Sequence, residues 1–168
     1  AGTTGNASAV GTATITDDVD ATTLTLTATP SVAEGGSIVY TATLSNAAVT
    51  PLTVTLSTGQ AIAIAAGATT GTVSIAAPGE DPYVDASTVS RTIASTSGGG
   101  FEQLTVNPAA ASTSVTDTID TTTLSLSGSA TVVEGAAGSY TVSLTSPAQT
   151  AVTVNLTYSG TAANGADF

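Results

Sequence analysis

The chain has 168 residues, 12 acidic side chains against one basic one, a formal net charge of −11, and no His, Cys, Met or Trp. This inventory excludes imidazole and thiolate zinc sites, cysteine nucleophiles, Ser-His-Asp triads and the usual haem ligands. With Arg91 as the sole basic residue, no phosphate-neutralising surface can be built, so nucleic acid and anionic membrane surfaces are disfavoured as partners. No apolar run reaches the roughly 18 residues of a membrane span, and a secretion signal, if used, is expected outside this sequence. Hydrophobic residues make up 41% and charged residues 8%, too apolar a balance for disorder. The abundance of Val, Ile and Thr favours pleated, half-buried strands.

In chain order, residues 11–18 (Gly11-Thr12-Ala13-Thr14-Ile15-Thr16-Asp17-Asp18) read as the last strand of a preceding unit running into a junction. Alternating runs then follow at residues 22–28, 37–44, 52–56, 61–65, 71–75 and 88–93, with a closing pair at 104–106 and 112–116. Turn signals separate them, among them Glu34-Gly35-Gly36, Ala66-Gly67-Ala68 and Ser97-Gly98-Gly99-Gly100. About seven strands at this spacing, with no helical period, predict an all-β, immunoglobulin-like β-sandwich.

The sequence repeats itself. Thr16-Asp17-Asp18-Val19-Asp20-Ala21-Thr22-Thr23-Leu24 matches Thr116-Asp117-Thr118-Ile119-Asp120-Thr121-Thr122-Thr123-Leu124 without a gap, at an offset of 100. The match continues in Val32-Ala33-Glu34-Gly35 against Val132-Val133-Glu134-Gly135, and in Tyr40-Thr41 against Tyr140-Thr141. A tandem array is expected. Residues 1–20 hold the end of one repeat and a junction, 21–120 a complete repeat, and 121–168 the first strands of the next. Tyr40 and Tyr140 are expected to pack in the cores, whereas Tyr83 is a candidate cap for the junction.

The acids gather at strand ends. Asp17, Asp18 and Asp20 lie at the first junction, and Asp117 and Asp120 at the second. Glu34 and Glu134 occupy equivalent loops, Glu80, Asp81 and Asp85 share one loop, and Asp167 follows the last run; Glu102 is an outlier. A seven-strand sandwich brings Glu34, Glu80, Asp81, Asp85, Asp117 and Asp120 to one pole. Oxygen-only ligands without a compensating cation select a hard divalent ion, Ca²⁺ before Mg²⁺. The pattern is not that of an EF-hand. The junction around Asp117 and Asp120 has no Gly or Pro, so a metal there would fix the angle between neighbouring repeats. With no cysteine, calcium would take the place that disulfides hold in many small extracellular domains.

At Asp117-Thr118-Ile119-Asp120-Thr121-Thr122, Pro30-Ser31-Val32-Ala33-Glu34-Gly35-Gly36-Ser37, Tyr40-Thr41-Ala42-Thr43-Leu44-Ser45 and Gly98-Gly99-Gly100-Phe101-Glu102, the chain resembles the calcium-dependent extender repeats of large bacterial adhesins of the repeats-in-toxin type. The end of the chain, from Thr157 to Phe168, is similar to Calx-β calcium domains, in which acids at the positions of Glu134 and Asp167 help hold calcium. The resemblance implies a non-catalytic extender on a bacterial cell surface, stiffened by Ca²⁺. Its partners would be neighbouring repeats or head-to-tail copies joined by donor-strand pairing. A glycan- or cell-binding module would call for an aromatic platform or long variable loops. A hydrolase using Glu34 or Asp85 would need an aromatic-lined cleft. The sequence supplies neither.

Overall fold

Period-two alternation builds the fold. In the computed structural model, which describes residues 11–157 and Ser159, every described element is a strand. They are β1 (Ala21–Ala28), β2 (Ser31–Ala33), β3 (Ser37–Leu44), β4 (Leu52–Leu56), β5 (Ala61–Ile64) and β6 (Thr70–Ala76), followed by β7 (Ser87–Arg91), β8 (Ile93–Gly98), β9 (Gln103–Val106), β10 (Ala111–Thr116), β11 (Leu124–Gly128) and β12 (Tyr140–Leu144). Residues 11–20 are exposed and carry no strand. Among the described residues no helix is long and apolar enough to cross a membrane.

Two compact units are present, and β3, β6, β7 and β10 contribute residues to both. The first comprises the described residues up to Ala28, with Val39–Val73 and Ser90–Ala111. Its strands belong to two sheets, ordered β6-β3-β1-β9 and β5-β4-β8. Each sheet hides one face and exposes the other. Leu24, Leu26, Tyr40, Ala42 and Leu44 are buried from the first sheet, and Leu52, Val54, Leu56, Ile62 and Ile64 from the second. The Thr residues between them face outward or lie at intermediate depth. This is the two-layered arrangement of a β-sandwich. A bulge interrupts the β4–β8 pairing, where Thr55 faces Ser95 and Leu56 faces Ile93, so Ala94 has no opposite number.

The second unit comprises Thr29–Ile38, Ser74–Val89 and the chain from Ser112 onward. Its three-stranded sheet has the order β2-β10-β7, with Ala111, Thr113 and Val115 on the buried face of β10. β2 and β10 run parallel, with Ser31, Val32 and Ala33 opposite Ser114, Val115 and Thr116. The remaining pair, β11–β12, reproduces the register of β1–β3 with every residue number raised by 100. Leu24 faces Leu44 in one and Leu124 faces Leu144 in the other, and so on through Ala28–Tyr40 and Gly128–Tyr140.

The strand count differs from the sequence expectation in an informative way. The first predicted strand, 22–28, is β1, and a further short strand outside the expectation, β2, follows Thr29-Pro30 and joins a different sheet. Proline has no N–H to continue a ladder, and its carbonyl instead accepts the Ser114 N–H at 3.0 Å. The sixth divides at Thr92, beside the bulge, and the expected closing pair forms as β9 and β10, which flank Asn107-Pro108 and join different sheets.

The buried face sets the stability of the first unit. Ile62→Ala, which empties a fully buried position, should lower the unfolding free energy by about 2–5 kcal/mol. Thr53→Ala on the outer face of β4 should change it by no more than about 0.5 kcal/mol. Urea denaturation of the two variants measures the difference.

Candidate metal centre

The site is assembled by backbone pairing. Because β2 and β10 are parallel and Ala33 faces Thr116, the next residue on each strand is an acid, Glu34 on one and Asp117 on the other. The Glu34 N–H donates to the Thr116 carbonyl at 3.1 Å, and the Thr116 hydroxyl donates to the Val32 carbonyl at 3.3 Å. The chain then reverses at Gly35, whose φ of +67° is a left-handed conformation that glycine adopts without strain. The Gly35 N–H donates to the Pro78 carbonyl at 2.7 Å, and the Ala77 N–H to the Gly36 carbonyl at 2.9 Å. These bonds draw the 77–86 loop against the turn, and that loop carries Asp85.

The outcome is three carboxylates, Glu34, Asp85 and Asp117, each with an oxygen within 4.8 Å of the other two. Two oxygens on opposite sides of a calcium ion, each about 2.4 Å away, would be about 4.8 Å apart. Glu34 is buried (6% exposed), Asp117 is half-buried and Asp85 is exposed. Glu34 Oε2 and Asp117 Oδ1 are buried without a hydrogen-bond partner. Buried polar atoms seldom lack partners, so these two oxygens are the acceptor positions a cation would satisfy. Arg91, the only basic side chain, is engaged elsewhere: its Nη1 donates to the Ser90 carbonyl at 2.9 Å, and its charge acts on Tyr40.

Electrostatics record the crowding. In the metal-free protein the Glu34 carboxyl is pushed up to about 7. The largest cause is its hydrogen bond with Asp85, followed by desolvation and the negative charges of Asp85, Asp117 and Glu80. Glu34 is therefore protonated more readily than an ordinary carboxyl. A metal would replace that proton.

The other expected ligands have separate placements. Glu80 lies close enough to act on Glu34 electrostatically, and its Oε1 accepts a hydrogen bond from the Thr118 hydroxyl. Asp81 Oδ1 accepts the Tyr83 N–H at 2.9 Å, closing a turn of its own loop. Asp120 and Glu134 are exposed and outside the cluster, and Asp17, Asp18 and Asp20 are exposed in the first unit. Asp167 lies outside the described residues. The outlier Glu102 anchors the backbone, since its Oε2 accepts the Asp20 N–H at 2.7 Å, at the entry to β1. Tyr40 is fully buried as expected, whereas its counterpart Tyr140 is 57% exposed. Tyr83 joins Pro82, Val84, Leu144, Pro147 and Val152 around an open apolar groove of about 330 Å³. The second unit thus brings the loop that carries Asp85 beside the residues that follow β12.

Fold and site together define an all-β module with a cluster of three carboxylates at one turn. The family model of the LapA domain matches residues 20–118 and, a second time, residues 120–165. The chain belongs to the LapA domain family, a class of adhesin-related modules. No curated protein matches it.

The raised Glu34 pKa fixes the pH dependence. The folded, metal-free state holds this proton up to about 7, whereas the unfolded chain releases it near 4.5. The folded state binds more protons across that interval, so stability should fall as pH rises from about 4.5 to about 7 and then level off. Glu34→Gln should flatten this dependence and make the metal-free protein more stable than the parent at pH 8. Urea melts in chelator from pH 4.5 to 8 measure both effects.

Proposed function

We propose that this chain is a non-catalytic extender segment of a bacterial cell-surface adhesin, in which Ca²⁺ held by Glu34, Asp85 and Asp117 stiffens the connection between successive repeats. The observation that carries the reading is the convergence of these three carboxylates around a buried Glu34 with an unpartnered oxygen. The energetic logic is simple. Folding alone forces like charges together at the end of β10, where the chain passes to the next matched segment. Calcium converts that repulsion into a cross-link between the 34–36 turn, the 77–86 loop and the start of the connection.

Support for the tandem reading comes from the two family matches and from the common register of β1–β3 and β11–β12. Asp117 begins the connection, so a metal there restrains the segment that leads to β11. Thr118, bonded to Glu80, adds a second restraint one residue later. Asp120 would contribute from the next turn of the connection. In an adhesin, such restraints keep an array extended and hold its tip away from the cell. Extracellular modules bind calcium at about 10⁻⁴ to 10⁻³ M, so the sites would be empty in the cytosol and filled outside. The cysteine-free composition is then compatible with a fold stapled after export.

Calcium at about one hundred times its dissociation constant should stabilise the chain by about 2.7 kcal/mol, visible as a raised melting temperature that chelator reverses. Asp117→Ala should remove most of that increment and broaden the distribution of inter-repeat angles in small-angle scattering, with the first unit still folded. Identical melting curves and scattering profiles in calcium and chelator would refute the proposal. Calcium titrations by calorimetry should also show affinity rising from pH 5.5 to pH 8, because the ion must displace the proton that the raised Glu34 pKa retains.

A further inference from the structure

The connection between β8 and β9 is built as a bracket. Gly98, Gly99 and Gly100 have φ of +91°, +92° and +68°, three successive left-handed residues that glycine alone adopts without strain. Each is also pressed against a neighbour. A Cβ would meet the Pro51 carbonyl at Gly98, the Phe101 ring at Gly99 and the Val49 side chain at Gly100. Main-chain hydrogen bonds tie the run to the 45–51 turn. The Val49 and Thr50 N–H groups donate to the Gly99 carbonyl at 2.9 and 3.3 Å, and the Gly99 N–H donates to the Pro51 carbonyl at 3.2 Å. A triple glycine suggests slack chain, yet Gly99 is buried and both its main-chain groups are bonded.

The bracket presents Glu102. The following residue, Gln103, opens β9 and lies opposite Ala21 in the parallel β1–β9 pair. Glu102 and Asp20 therefore stand one step before the ladder on the two strands. There Glu102 Oε2 accepts the Asp20 N–H at 2.7 Å, and an ionised acceptor makes this stronger than a neutral hydrogen bond. Every residue of the arrangement belongs to the first unit.

We propose that Glu102, held in place by the 98–101 bracket, is a positioning residue for the incoming connection: it fixes the chain at Asp20 and so sets, without a metal, the point at which a repeat receives the segment before it. The purpose of this grip rests on the extender reading above, whereas the grip itself is independent of calcium. The complete repeat then holds the chain with acids at both of its ends. At the exit Glu80 holds Thr118 beside Asp117, and at the entry Glu102 holds Asp20. Where repeats of this kind follow one another, the offset of 100 puts the entry grip two residues after the exit grip. The residue between is Ile119 at one junction and Val19 at the other, 95% and 66% exposed. Both are β-branched, with restricted side-chain rotation, so a joint gripped on either side of them keeps little freedom.

Amide hydrogen exchange and heteronuclear relaxation of the 168-residue chain in chelator test this. The Asp20 amide is expected to be as ordered as those of β1. Glu102→Ala should speed its exchange about tenfold and free residues 17–20, while amides of β3 and β4 stay protected and show the sandwich intact. Glu102→Gln retains an oxygen acceptor and should keep most of the protection. Gly99→Ala leaves Glu102 present but forces Phe101 aside, and should reproduce the loss at Asp20 with β3 and β4 still protected. An Asp20 amide that exchanges as freely as that of Asp18 in the parent chain, or one whose protection survives Glu102→Ala, would overturn the proposal. Protection that survives Gly99→Ala would overturn the part assigned to the bracket. None of these results depends on calcium at Glu34, which the calcium titrations read separately.

Discussion

Three like charges held together by backbone hydrogen bonds are the constraint on which the rest depends. Glu34, Asp85 and Asp117 do not attract one another; they meet because the parallel β2–β10 register and the tight turn at Gly35 leave them no alternative. Strands that satisfy their main-chain groups and bury Val115 and Ile38 supply the driving force. The carboxylates are carried along. A buried acid with an unpartnered oxygen is costly, and the hydrogen bond with Asp85, desolvation and the neighbouring carboxylates together raise the Glu34 pKa. On the proposed reading, a divalent cation would make the same arrangement favourable.

Much of the fold was legible because period-two alternation is a direct record of which side chains face the core. Leu24 and Leu26, the series Ile38, Tyr40, Ala42 and Leu44, and the triplet Leu52, Val54 and Leu56 alternate with more exposed residues, Thr at every place but Val39, and all are buried. What alternation does not record is the partner of each strand. The parallel β1–β9 and β2–β10 pairings, and the passage of β1 into β2 and of β9 into β10 between sheets, depend on contacts made across about 80 residues of sequence. No local pattern carries that information beyond the breaks at Pro30 and Pro108.

The site was legible at a coarser level. Placement of carboxylates at strand ends identified Glu34, Asp85 and Asp117 among a wider group. It did not separate them from Asp81, because an acid that closes its own turn and an acid that faces a cluster look alike in sequence. The hydrogen bond from the Tyr83 N–H and its place outside the three-carboxylate cluster distinguish Asp81. Glu102 looked like an outlier for the converse reason, since its partner, the Asp20 N–H, is 82 residues away. The equivalence of Glu134 with Glu34 was plain from the repeat, yet Glu134 is exposed, because Glu34 meets Asp117 through the pairing of β2 with β10 and not through the turn alone.

The most direct test is diffraction from crystals grown with calcium, using anomalous signal to locate the ion. The account predicts a peak about 2.3–2.6 Å from carboxylate oxygens of Glu34, Asp85 and Asp117 together. A map with no peak there, or with the three side chains turned apart into solvent, would contradict it.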